Sequence, residues 1–105
     1  MEKLLVAICS TPNVEVASAL STSILESRLA ACVSQLVGVR SQYWWRDTLE
    51  IAEEVVLIIK TTSTQVDALK SHIQERHPYE TPELIFLPVE SALDAYAQWV
   101  RAEVR

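Results

Sequence analysis

Two extended stretches constrain this chain more than anything else in it: ACVSQLVGVRSQYWW (Ala31–Trp45) and IAEEVVLIIKTT (Ile51–Thr62), joined by the turn-like RDTLE. Fourteen or so extended residues at about 3.3 Å each span roughly 46 Å. A domain of this length has a radius of gyration of only ~13 Å, hence a diameter of roughly 34 Å. The hairpin must therefore overhang the body, curl, or be covered by a neighbour. Tyr43, Trp44 and Trp45 are consecutive, so in a strand they project to both faces. One face can use the chain's own helices. The other leaves large aromatic area in water unless something covers it. The expectation is a homo-oligomer whose hairpins pair edge to edge, with clefts between subunits. A bent hairpin folded onto the last helix is the alternative.

The remaining elements follow from periodicity. KLLVAIC (Lys3–Cys9) is a near-continuous apolar run, the pattern of a central strand covered on both faces. STPN stops it: Pro12 suits a helix start, and Thr11 or Asn13 can cap. Val16, Leu20 and Ile24 then recur every four residues, with Ala17 and Leu25 beside them and Ser18, Ser21, Glu26 and Arg28 mainly elsewhere. That predicts an amphipathic helix to about Leu29. Gly38 marks a bend in the first long strand. Thr64 and Asp67 form a capping-box-like start for a second helix with Val66, Leu69 and Ile73 buried, and Pro78 ends it. Glu83–Val89 is a fourth strand, placed by Pro88 at an edge or at the strand's end. Ser91–Asp94 caps a last helix with Leu93, Tyr96, Ala97, Val100 and Val104 on one face. The order β-α-β-β-α-β-α over residues 1–105 predicts a single α/β (α+β) domain. Its simplest packing is a ferredoxin-like split β-α-β sandwich: one antiparallel sheet, a long central hairpin and an extra C-terminal helix.

Composition narrows the function. A net charge of −5 with scattered Lys and Arg argues against nucleic acid as a partner. The longest apolar run, VVLII at Val55–Ile59, is too short to cross a bilayer. MEKLLVAICSTPN resembles a short signal peptide but lacks a small-residue cleavage pattern, so a cytoplasmic location is expected. Cys9 and Cys32 are then reduced rather than bridged. There is no CxxC, no pair of histidines at helical spacing, and only one glycine, so the usual zinc site and the phosphate-cradling glycine loop are both absent.

The segment RHPYETPE (Arg76–Glu83) is the least ordinary stretch. His77 and Thr81 each precede a proline and are held out of helix, so the segment is stiff. It reads either as a helix-to-strand joint or as one wall of a site. Cys9 is by default a small buried hydrophobe, but it ends a strand before a loop, with room for a functional thiolate. A Cys–His nucleophile pair has no orienting third residue in view. Lys60 is a snorkelling lysine at a sheet rim or an anion-binding group beside Tyr79, Trp44 and Trp45. Glu53, Glu80 and Glu83 could balance it in a cleft suited to a small polar ligand.

Taken in order, CSTPN, ESRLAACV, YWW, VVLIIKTT, HPYETPEL and LPV resemble the CutA family of divalent-cation tolerance proteins from about Leu5 to Trp99. The resemblance implies a homotrimer with three sheets packed around a threefold axis, similar in architecture to PII-type signalling proteins. It implies association with copper or other divalent cations and no catalytic reaction. It also carries Cys9 and His77 over as metal ligands, with softer metals favoured by the sulfur. Two departures stand out: Arg76 occupies the place of a second histidine, and RDT replaces a glycine turn after the aromatics. The implied function is copper binding in cation tolerance. The alternative is a PII-like adaptor holding a small anion near Lys60 and engaging an unidentified protein partner.

Overall fold

The computed structural model describes residues 2–105. In chain order it contains β1 (Leu4–Thr11), α1 (Val14–Glu26), β2 (Cys32–Trp45), β3 (Thr48–Thr62), α2 (Val66–Arg76), β4 (Ile85–Pro88) and α3 (Asp94–Glu103). The strands form one sheet in the order β2-β3-β1-β4, with every neighbouring pair antiparallel. This is the ferredoxin-like arrangement the element order implied, with α3 as the addition.

Strand alternation assigns the two faces. Ala7 and Cys9 of β1 share a face with Leu57 and Ile59 of β3, and pack with Ala17, Leu20 and Ile24 of α1 and Leu69 and Ile73 of α2. Leu4 points the other way and packs against Val100 and Val104 at the end of α3. The rest of that second face carries Val6, Ile8, Ile58, Ile85 and Leu87. Ile85 and Leu87 remain 47% and 46% exposed.

Asn13, rather than Thr11, caps α1, its Oδ1 accepting the Val16 N–H at 2.9 Å. Ser21 is buried rather than solvent-facing because its hydroxyl turns back to donate to the Ala17 carbonyl at 2.7 Å. The helix closes with the Leu29 N–H on the Ile24 carbonyl and the Arg28 N–H on the Leu25 carbonyl, putting Arg28 at φ 58°. The capping box expected at Thr64 does not form. Residues Ser63–Gln65 make a 3-10 turn first, and the Thr64 hydroxyl is held by Glu2 at 3.0 Å and Thr62 at 2.9 Å. β4 is shorter than the expected Glu83–Val89, with Pro88 at its end on a sheet edge. The face foreseen for α3 is only half used: Val100 and Val104 are buried, but Leu93 is 82% and Tyr96 40% exposed. Nor does Ser91 cap α3, whose N-terminal boundary is Leu93 without a side-chain hydrogen bond.

The hairpin is longer than RDTLE suggested, because β3 begins at Thr48 and the loop is only Arg46 and Asp47. Both adopt positive φ, 50° and 63°, the left-handed pair of a two-residue turn that matches strand twist. Gly38 sits at φ 79° in a bulge where pairing moves from Leu36 opposite Val56 to Val39 opposite Glu54. The subunit extends 44 Å in its longest direction against 25 and 22 Å in the others.

Candidate functional site

Helix α2 stops at Arg76 because Pro78 forces the preceding residue into extended geometry, and His77 sits at φ −79°, ψ 137°. Its ring is thereby turned onto the end of β1. Nε2 donates to the Ser10 carbonyl at 2.7 Å, and Nδ1 accepts the Tyr79 N–H at 3.1 Å. Both ring nitrogens are occupied, so the imidazole pins the loop to the strand. The joint reading of RHPYETPE is therefore realised in full.

Cys9 has no solvent exposure, and its Sγ lies 3.8 Å from the same Ser10 carbonyl. Burial pushes its thiol up to about 12, and the carboxylates of Glu83 and Glu54 add to the effect. Cys9 and His77 thus converge on one oxygen, with the thiol protonated and the imidazole hydrogen-bonded twice. Among the described residues no three His, Cys, Asp or Glu side chains cluster closely enough to hold a metal ion. The donor set of a single subunit does not fit a resident metal centre as it stands. Arg76 does not extend it: its guanidinium lies against the His72 carbonyl at 3.4 Å and Glu75 at 3.3 Å.

Beyond this joint lies a cavity of about 790 Å³ between the loop and the outer part of the hairpin, lined in part by Ser10, Tyr43, Trp45, Glu54, Tyr79 and Glu83. The register explains its composition. Tyr43 pairs with Glu50 and Trp45 with Thr48, so the bulge at Gly38 sets Tyr43 and Trp45 on the face shared by Ser10 and Glu54. Trp44 projects from the opposite face with Leu49 and reaches the cavity only at its margin. The Tyr79 hydroxyl donates to Glu54 Oε2 at 2.7 Å, and the Ser10 hydroxyl to Glu83 Oε1 at 2.6 Å. Burial, then the bond to Glu54, raises the Tyr79 phenol above its ordinary range. At the rim, Arg46 pairs with Glu80 at 2.8 Å and lies 5.3 Å from the Trp45 ring centre.

The structure therefore brings together five of the residues singled out from sequence, Trp44, Trp45, Tyr79, Glu80 and Glu83, and leaves four outside. Cys9 and His77 lie behind the pocket wall. Glu53 points to the opposite face, across from Arg40. Lys60 is six residues along β3 from Glu54, about 20 Å away, with its ammonium on Ser34 Oγ and 3.7 Å from Cys32 Sγ. Within one subunit it does not join the aromatic residues. Glu54 and Ser10 were missed. Glu54 is one of two adjacent glutamates in AEEVV, and strand parity favours it because Val56 and Ile58 share its face.

Comparison with known proteins agrees with this architecture. Residues 5–103 match the CutA1 divalent ion tolerance protein family. The Divalent-cation tolerance protein CutA of Pectobacterium atrosepticum is 43% identical over 100 residues, covering 95% of this chain and 91% of that protein. Protein CutA 1, chloroplastic, of Oryza sativa subsp. japonica is 37% identical over 96% of this chain, which spans 57% of that protein's length. The crystal structure of CutA from Xylella fastidiosa superposes with a TM-score of 0.95 at 33% identity, covering 98% of this chain and 99% of that one. In sheet order, hairpin and sequence alike, this chain belongs to the CutA1 divalent ion tolerance family.

Proposed function

We propose that this protein acts in divalent-cation tolerance as a cytoplasmic homotrimer, with copper as the first cation handled. Membership of the family supports the tolerance role, and its relatives are named for tolerance rather than for a reaction. The observation that carries the trimer is the apolar surface one chain leaves open: Trp44 is 72%, Leu49 54%, Ile51 53% and Ile85 47% exposed. Surface of this kind is a liability in a solitary chain. Sister copies around a threefold axis would cover the sheet face and shelter the projecting hairpins.

Cys9 and His77 are the proposed copper ligands, as a thiolate and an imidazole, a donor set suited to a soft or borderline cation. The metal is cargo here. Binding needs His77 released from the Ser10 carbonyl and the Cys9 thiol deprotonated, so affinity is low in acid and rises with pH. Copper titration of the purified protein, and of Cys9→Ala and His77→Ala variants, tests the assignment. Each variant should bind more weakly; equal affinity in all three removes both residues as ligands. Light scattering at micromolar protein tests the assembly separately, and a mass of one chain would overturn it.

A further inference from the structure

We infer that the pocket between the outer hairpin and the His77–Glu83 loop binds a small organic cation, a primary ammonium or guanidinium, seated on Tyr43 and Trp45 with its N–H groups on Glu54 and Glu83. The cavity, about 790 Å³, is of the size that takes small ligands. Its lining holds Glu54, Glu80 and Glu83 and no lysine or arginine. Glu80 already has its partner in Arg46. Glu54 does not: the residue is only 7% exposed, and its one side-chain hydrogen bond among the described residues is from Tyr79 to Oε2. No ion pair among the described residues involves Glu54 or Glu83. Glu54 Oε1 accepts no hydrogen bond from the described residues and is open to the pocket, which supplies the place for a cation.

The aromatic walls select the kind of cation. Ring faces attract ammonium and guanidinium groups when the centre lies within about 6 Å. Arg46 displays this chemistry at the rim, with its guanidinium 5.3 Å from the Trp45 ring centre and 2.8 Å from Glu80. A ligand of the same class would repeat that arrangement one step deeper, where the charge is unanswered. A metal ion lacks a cluster of three ligating side chains here. Within one subunit an anion meets only carboxylates, with Lys60 about 20 Å away along β3. The inference is independent of copper binding at Cys9 and His77.

The test titrates the full chain with agmatine, which carries both cationic groups, in the presence of a metal chelator. Tryptophan fluorescence and calorimetry provide the readouts. Glutarate, an anion of similar length, is the control. The expected result is saturable binding of agmatine and none of glutarate. Glu54→Gln and Glu83→Gln should each weaken agmatine by on the order of tenfold. Glu83 is exposed, so its variant keeps the test valid if Glu54→Gln fails to fold. Lack of saturation at millimolar agmatine, unchanged affinity in the folded variants, or equal binding of glutarate would each overturn the inference. Tighter binding of a capped arginine tripeptide than of agmatine would overturn the assignment to a free small molecule. Because the chelator removes copper, none of these failures bears on the metal ligands.

Discussion

Trp44→Asp isolates the role of the projecting hairpin. Trp44 is 72% exposed and lies on the face of β2 that also presents Leu49 across the ladder. Taking ~200 Å² for the residue, about 140 Å² lies in water in a single chain; covering it at ~25 cal/mol per Å² contributes about 3.5 kcal/mol. Leu49 and Ile51, each just over half exposed, add about 1 kcal/mol apiece, half of the ~2 kcal/mol for fully burying such a side chain. In the proposed assembly the substitution removes the largest single apolar contribution and sets a carboxylate in its place. The association constant should fall by two to three orders of magnitude per contact. Light scattering across a dilution series would show the variant losing its oligomer at concentrations where the parent keeps it. Far-UV circular dichroism should be unchanged, because Trp44 contributes nothing to either buried cluster. An identical mass at every dilution for variant and parent would refute the covering role. So would a variant that loses its secondary structure, since that would make Trp44 part of the subunit's own packing.

Three further outcomes follow from the subunit. The Cys9 thiol titrates near 9.0 when unfolded and at about 12 when folded, so its contribution to stability is complete below pH 9 and is lost as pH rises through that window. Denaturant melts of parent and Cys9→Ala should converge there, with a slope difference approaching about 1.4 kcal/mol per pH unit. His72, whose Nε2 lies 2.8 Å from Ser23 Oγ between α1 and α2, is held below 6.5 by burial and by Arg76, partly opposed by Glu75. The unfolded chain therefore binds the proton first, and stability should fall as pH drops below 6.5. His72→Gln should flatten that acid limb in urea melts, and an unchanged limb would refute the assignment. Asp47→Gly relieves the left-handed backbone at φ 63° and should raise stability by roughly 0.5–1 kcal/mol in melts at fixed protein concentration; a lower melting temperature would refute it.

Much of the fold was legible because its signals are local. The four-residue recurrence from Val16 to Ile24, the proline after His77 and the paired β-rich runs act within a few residues, and each produced its element. The misses have tertiary causes. A polar hydroxyl places Ser21 off the apolar face, but within a helix it satisfies itself on Ala17 and is buried. Leu93 and Tyr96 continue the apolar face of α3, yet within one subunit they stay 82% and 40% exposed. The site was legible in residue type more than in position. Aromatic rings and carboxylates were foreseen in one cleft, but with Glu53 and Lys60 where the structure has Glu54 and Ser10.

Periodicity and proline placement determined the order of elements and the stiffness of the loop after α2. Only the tertiary structure decided which faces meet. One extra residue at the Gly38 bulge turns Tyr43 and Trp45, rather than Trp44, toward Glu54. His77 then holds the loop where Tyr79 can close over that carboxylate, its Nε2 donating to the Ser10 carbonyl and its Nδ1 accepting the Tyr79 N–H. Side-chain direction along a strand alternates every residue, so a single insertion reverses it downstream. The pairing that fixes the insertion joins residues far apart in the chain, and no local pattern encodes it.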